Sequence, residues 1–360
     1  MMQDNTPPPN AAPRRINLAL QGGGSHGALT WGVLDRLLAD PRIEICEISG
    51  TSAGAMNAVV LADGHVRGGR EGARAALERF WKAVSDTARL SPIRRSPFDQ
   101  WFGRYTLDHS PGYIWFDIAS RLFSPYELNP AGFNPLRRLL ADRVDFENVR
   151  ASREIAVHVA ATNVRTGRSR VFSGEAVTLD AVLASACLPQ LFPAVEIDGE
   201  FYWDGGYSGN PELLPLVESA RTADIVIVQI NPLLRREPPR RAREIINRIN
   251  EISFNTSLIK DLRAIALTQR LNRAEGRVCG MAETTYLHLI HTEADVQDLS
   301  ASSKLNPEWA YLKLLFERGE RWADEWLDRN FDALGQRSTL DLDDLFRDVP
   351  RSATMIPLEE

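Results

Sequence analysis

The sequence predicts an α/β fold in which a parallel sheet is covered by helices. Two observations carry that prediction. Strand-like apolar runs alternate with helix-periodic segments over residues 16–62, with short connections between them. Further strand-like runs follow at 154–162, 223–231 and 285–290. With 360 residues, 44% of them apolar, the chain is long enough to bury one large core.

Ile16 to Leu20 is a short apolar run ending in glycines, as suits a buried strand. Behind Gly22-Gly23-Gly24-Ser25-His26-Gly27, residues Ala28, Leu29, Val33, Leu34, Leu37 and Leu38 recur at helical spacing until Asp40-Pro41 stops them. A second strand, Ile43 to Ile48, leads into Gly50-Thr51-Ser52-Ala53-Gly54. Good helix formers from Ala55 to Ala62 predict a helix ending at Asp63-Gly64. Residues 91–135 break the alternation, mixing turn residues with Phe98, Trp101, Phe102, Tyr105, Tyr113, Trp115, Phe116, Phe123 and Tyr126. A helix is expected at Leu179 to Ala186, and a tight hairpin around Asp198-Gly199 within Val195 to Tyr202. After a basic, Pro-containing connection at 235–243, Ile245, Ile249, Ile252, Ile259 and Leu262 share one face of a long helix. A last helix from near Pro307 gathers Trp309, Leu312, Phe316, Trp322 and Trp326 on one side, as a core or dimer face. No internal repeat is found. The simplest organisation is a leader over 1–15, one domain over 16–335 and a tail over 336–360. The domain includes the aromatic insertion and a helical C-terminal part from about residue 240.

A formal net charge of −6 supplies no global basic field, so nucleic acid is not an expected partner. No apolar run approaches the ~18–20 residues that cross a bilayer. The polar, Pro-rich start lacks the apolar core of a signal peptide and reads as disordered. Cys46, Cys187 and Cys279 are an odd set without paired spacing, which suits small core residues in a reducing compartment. A cytoplasmic protein is expected, with room left for peripheral membrane contact.

The chemistry centres on Ser52. Gly-x-Ser-x-Gly is weak alone, but here a strand runs into it and a helix follows, the setting of a nucleophile elbow. A sharp turn forces unusual φ/ψ, and glycines keep the approach to the serine open. The helix behind it brings a positive dipole end towards developing negative charge. Gly22, Gly23 and Gly24 end the neighbouring strand, where their amides can serve as an oxyanion hole. The same run also satisfies Gly-x-Gly-x-x-Gly, a dinucleotide fingerprint, with Glu44 and Glu47 about twenty residues on. Against a dinucleotide site, the second strand ends in the serine turn rather than in a ribose-binding carboxylate. A Walker loop is excluded because no Gly-Lys-Ser/Thr follows the glycines. A nucleophilic serine needs a base, and Asp204-Gly205-Gly206 offers a carboxylate just after the hairpin.

Taken in order, Gly22 to Gly27, Gly50 to Gly54 and Asp204-Gly205-Gly206 resemble the patatin-like phospholipase family of the bacterial type. Ala184-Ser185-Ala186-Cys187-Leu188-Pro189 is similar to the family's further Ala-Ser-x-x-x-Pro block, so the resemblance spans about Ile16 to Pro211. It implies a three-layer α/β/α fold with a central, mostly parallel sheet. It also implies a Ser–Asp dyad, with Ser52 as nucleophile, Asp204 as base and Gly22 to Gly24 as oxyanion loop. His26, Gly27, Gly50, Gly54, Gly205 and Gly206 would be supporting motif positions. The implied reaction is ester hydrolysis on phospholipids, lysophospholipids or neutral lipids, without metal or other cofactor. One position departs: the family usually has Arg or Lys where His26 stands. There a permanent cation gives way to a group that titrates near neutral pH, or to one that only packs at the helix start.

Two points remain open at this level. Ser52, Asp204 and then His288 or His291 also follow the chain order of an α/β-hydrolase triad. Against it, His288 alternates with apolar neighbours, and the elbow comes on the second strand, early for that fold. A dyad instead needs burial to raise Asp204, since a free Asp is a poor base for a serine hydroxyl. The aromatic insertion is expected to be a packed subdomain with solvated charges. Its functional alternatives are an acyl channel, a lid or a membrane contact, with Arg94, Arg95 and the 235–243 stretch meeting anionic headgroups.

Overall fold

The computed structural model describes residues 12–342, apart from positions 92, 220, 234, 236, 276–284, 298 and 301. Cys279, residues 1–11 of the expected leader and the tail beyond 342 lie outside the described residues. The opening repeat is β1 (Arg14–Leu20), α1 (Gly27–Ala39), β2 (Ile43–Thr51) and α2 (Ala53–Thr87). The insertion carries α3 (Pro97–Trp101), α4 (Pro111–Leu122) and α5 (Pro125–Leu128), followed by α6 (Pro135–Ala141) and α7 (Phe146–Ala151). Its turn residues are helix caps. Ser96, Ser110 and Asn134 each accept a backbone N–H of the helix they precede, and Pro takes the first turn. Then come β3 (Ala156–Asn163), β4 (Ser169–Ser173), α8 (Leu179–Ser185), the hairpin β5 (Val195–Ile197) and β6 (Glu200–Asp204), and α9 (Leu214–Glu218). The chain closes with β7 (Asp224–Val228), α10 (Ala242–Glu275), β8 (Tyr286–Ile290), α11 (Glu293–Gln297) and α12 (Trp309–Asn330).

Strands β3, β2, β1, β7 and β8 lie side by side and parallel. Antiparallel β4 and β6 pair with β3, and β5 extends β6. Side chains alternate between two apolar layers, as the strand period requires. Ile16, Leu18 and Leu20 face one cluster with α1, α2 and α12, whereas Ala19 faces another with α9 and α10. On β7, Val226 and Val228 join the first layer and Ile225 and Ile227 the second. The fold is therefore a mostly parallel sheet between two helical layers. The register sets Leu20 opposite Gly50 and Ala161 opposite Asp204, so three strands deliver the glycine run, Ser52 and Asp204 to one sheet end.

Four expectations are corrected. Arg14 and Arg15, assigned to the leader, are the first residues of β1. Helix α2 passes Asp63-Gly64 and breaks only at Gly68-Gly69, because Asp63 accepts Nε of Arg67 and Nδ2 of Asn148, both at 2.9 Å. Residues 338–340, assigned to the tail, run beside β8 and exchange hydrogen bonds with Leu287. On α10 the expected shared face splits: Ile245, Ile249 and Ile252 are exposed, Ile259 is half-buried and Leu262 is buried together with Glu251, Asn255 and Leu258. Trp322 and Trp326 of α12 are core, as expected. None of the described helices is long and apolar enough to cross a membrane.

Candidate active site

Ser52 sits between β2 and α2 at φ 54° and ψ −120°, outside the usual region for a residue with a side chain. Its neighbours hold it there. The Ser52 N–H donates to Ser185 Oγ at the end of α8 (2.8 Å), and Thr51 Oγ1 donates to the Gly209 carbonyl (2.7 Å). Gly50 is the penultimate residue of β2 and Gly54 lies in the first turn of α2. The elbow thus has the predicted local form, and its half-buried serine faces the sheet-end crevice.

Asp204 ends β6 and is buried. Its N–H donates to the Cys187 carbonyl (2.8 Å), and Thr162 Oγ1 donates to its carbonyl (2.8 Å). Gly206 N–H donates to Asp204 Oδ1 (2.7 Å) within the turn that also contains Gly205. Burial raises the Asp204 pKa to about 6, while the Gly206 amide, the Ser52 hydroxyl and the Lys304 charge pull it back.

The glycine run lies directly against the elbow: a Cβ on Gly22 would come 2.7 Å from Ser52 Cβ. Gly24 has φ +59°, and a Cβ there would meet the Lys304 carbonyl at 2.5 Å, so only glycine fits. Gly22 is held at both ends. Its N–H donates to Asn210 Oδ1 (2.7 Å), and its carbonyl accepts Asn231 Nδ2 (2.8 Å). The Gly22 amide is therefore not an open donor, unlike those of Gly23 and Gly24, which have no partner among the described residues. Buried Gln21 accepts the amides of Ile230 and Asn231 at 3.0 and 3.1 Å, tying the run to the end of β7.

His26 does not behave as a group titrating near neutrality. It is buried, and burial with the nearby Lys304 and Arg235 charges holds its pKa well below the ordinary value. Its Nε2 lies 2.8 Å from Ser303 Oγ, which donates to the Ser300 carbonyl and accepts the Tyr311 hydroxyl. That arrangement leaves His26 Nε2–H as the donor to Ser303. Gly27 opens α1 behind it.

The other candidates separate. His288 bonds Asp224 Oδ1 and Thr339 Oγ1, both at 2.9 Å, and His291 bonds the Gln229 carbonyl and Glu293. Neither has a ring nitrogen directed at Ser52. Glu44 pairs with Arg15, and Glu47 lies within β2 beside Arg221, so neither carboxylate stands at the strand end. No group of three or more His, Cys, Asp or Glu among the described residues is placed to hold a metal. The insertion is not a packed aromatic subdomain, since Trp101 is 87% and Trp115 68% exposed. Arg95, in contrast, is turned inward, forked on Glu308 and stacked on Tyr105, and Arg235 is paired with Glu251. Sequence reasoning missed Asn210, Asn231, Ser303 and Lys304, which reach the crevice from positions with no local motif.

No curated protein matches the chain. VipD from Legionella pneumophila is a structural neighbour at 16% identity, covering 89% of this chain and 68% of that one. Its TM-score is 0.39. The patatin-like phospholipase model matches residues 18–217, from within β1 to within α9. That segment contains the glycine run, the Ser52 elbow and Asp204, and the family it defines implies lipid acyl hydrolysis. The chain belongs to the patatin-like phospholipase family.

Proposed function

We propose that the protein is a lipid acyl hydrolase of the phospholipase A or lysophospholipase type, working through a Ser52–Asp204 dyad. The observation that carries this reading is Ser52 held at φ 54° beside a buried Asp204 whose pKa is raised to about 6. At that value the carboxylate is a far better acceptor for a serine proton than a free Asp, yet it is still ionised at neutral pH. Asp204 takes the Ser52 proton as Oγ attacks the ester carbonyl. The carbonyl oxygen becomes an anion, which the Gly23 and Gly24 amides and the N-terminus of α2 stabilise. Collapse breaks the ester C–O bond, and Asp204 returns the proton to the leaving alkoxide. Water then attacks the acyl-Ser52 ester by the same route and releases the fatty acid.

The exposed aromatic rim belongs to the same reading. Trp101, Phe102, Trp115, Phe123 and Tyr126 are exposed, as are Arg94 and Arg104, the latter 5.8 Å from the centre of the Phe102 ring, a combination suited to an interface of apolar chains and anionic headgroups. The enzyme would then be cytoplasmic and meet its lipid at a membrane face.

In the test, Ser52→Ala and Asp204→Asn each lose esterase activity, whereas His288→Ala and His291→Ala keep it. A fluorophosphonate labels the wild type and not Ser52→Ala. Near-complete loss of activity in a folded histidine variant overturns the dyad.

A further inference from the structure

Residues 302–305 form a short 3-10 turn under the glycine run, far from it in sequence. Lys304 reaches the crevice from this turn. Its ammonium donates to Asn231 Oδ1 (2.8 Å), and the same amide donates through Nδ2 to the Gly22 carbonyl (2.8 Å) and to Gln21 Oε1 (3.1 Å). An ammonium can only donate, so it fixes which end of the Asn231 amide faces it and leaves the NH2 end to hold Gly22. The carbonyl of the same residue lies against Gly24. The ammonium also stands 5.6 Å from the centre of the Phe254 ring, and Phe254 packs on Gly206 beside Asp204.

We propose that Lys304 is the positioning cation of this crevice: through Asn231 it sets the glycine run, and through space it favours the ionised form of Asp204. The proposal rests on the Ser52–Asp204 reading and adds a requirement to it. The charged and titratable groups facing Lys304 are Asp204 on β6, Glu251 on α10, Arg235 after β7 and His26 before α1. Glu251 is shared with Arg235 and Arg248 (3.1 and 3.2 Å), so Asp204 is the carboxylate without a cation hydrogen-bonded to it. Burial, aided by Arg235, pushes the Lys304 pKa down to about 8, against the pull of Glu251 and Asp204. Lys304 therefore loses its charge within the accessible pH range.

The experiment is kcat/KM against pH on a soluble short-chain p-nitrophenyl ester, for wild type, Ser52→Ala, Lys304→Met, Lys304→Gln and Lys304→Arg. In wild type, activity rises as Asp204 ionises near pH 6 and falls as Lys304 deprotonates near pH 8. Lys304→Met loses about ten- to a hundred-fold at pH 7, and its acid limb moves up by about half a unit or more, because the charge opposing protonation of Asp204 is gone. Lys304→Gln keeps a donor for Asn231 but shows the same upward acid limb. Lys304→Arg recovers activity and carries the alkaline limb beyond pH 9 or so, since a guanidinium stays charged. Wild-type rate and limbs in folded Lys304→Met overturn the proposal, as does a wild-type alkaline limb unmoved in Lys304→Arg. Should the neutral variants not fold, the wild-type and arginine profiles decide alone, and wild-type activity flat to pH 10 or so counts against the proposal. Activity in Ser52→Ala sinks the dyad itself, whereas an inert Ser52→Ala beside an unaltered Lys304→Met sinks only Lys304.

Discussion

At the sheet end, Gln21, Asn210, Asn231 and Asp204 are polar side chains buried to 2% exposure or less, whereas on the insertion Trp101, Trp115 and Phe133 are large apolar ones left in the open. Both regions invert the ordinary distribution, but only the sheet end is largely compensated within the fold, with Asn210 Nδ2 left unpaired among the described residues. Gln21 Oε1 accepts the Asn231 N–H and Nδ2, and Asn231 Nδ2 also donates to the Gly22 carbonyl, as burial of amides demands. Tyr126 accepts the Ala194 N–H (3.2 Å) and Phe102 packs on Phe98, but the Trp101 and Trp115 side chains have no hydrogen-bond partner among the described residues. Geometry is therefore over-determined at the proposed site of ester cleavage, while Trp101 and Trp115 are nearly independent of the fold. Changes in the crevice should alter activity and stability together, and changes on the rim should separate them.

The largest expected effect sharpens that contrast. Asp204→Asn keeps an acceptor for the Gly206 amide but removes the proposed base, so activity should fall by about 10³-fold or more. Stability moves the other way. The native pKa of about 6 lies above the ordinary 3.8, so the folded state binds more protons between those values. Native stability consequently falls as pH rises through that window, and the cost is fully present above about pH 6 and absent below about pH 4. Asp204→Asn should unfold later than wild type at pH 7.5, by up to about 3 kcal/mol, and no later at pH 4. Calorimetry at the two pH values checks it. Equal destabilisation at both would mean that burial costs this carboxylate nothing.

Ser185→Ala is the next step down. Ser185 Oγ is the acceptor for the Ser52 N–H, so its loss leaves a donor unpaired and frees the elbow. Stability should fall by about 1–3 kcal/mol. The rate should fall by about 10²-fold, with fluorophosphonate labelling slowed in step, because Ser52, the proposed nucleophile, is misplaced and not missing. Normal labelling with slow turnover would assign Ser185 to a later step.

How far the site could be read from the sequence follows from distance along the chain. The Ser52 elbow is local: strand, glycines and helix lie within a dozen or so residues, and the turn chemistry is written in them. Asp204 was legible because a hairpin with Asp198 and Gly199 at positive φ stands just before it. Asn231 and Lys304 were not: Asn231 follows β7, which pairing with β1 brings beside Gly22, and Lys304 lies in a distant short turn whose carbonyl packs on Gly24. Ser302-Ser303-Lys304 has the composition of a solvated turn. Periodicity likewise grouped Ile245, Ile249 and Ile252 with Leu262, which alone of these four is buried, and could not say that Glu251 and Asn255 would take the buried side. Which face is buried depends on what it meets, and here it meets Arg235, Gln21 and the Pro232 carbonyl.

The smallest effect on the fold is expected at the rim. Trp101→Ala with Trp115→Ala removes two rings that are mostly in water, so unfolding free energy should change by no more than about 0.5 kcal/mol. Hydrolysis of a soluble short-chain ester should be unchanged, because neither side chain is among the hydrogen-bonding partners of Ser52 or Asp204. Against vesicles containing anionic phospholipid the outcome differs. Two buried aromatic rings are worth a few kcal/mol at an interface, so the bound fraction and the vesicle rate should fall roughly ten-fold or more. Added salt should weaken wild-type binding as well, since Arg94 and Arg104 act through screened charge. If both substrates slow together and the protein unfolds early, the rim is a structural part of the domain and the contrast with the crevice collapses. If vesicle binding is unaltered while the fold is intact, the exposed aromatics serve something other than a lipid surface.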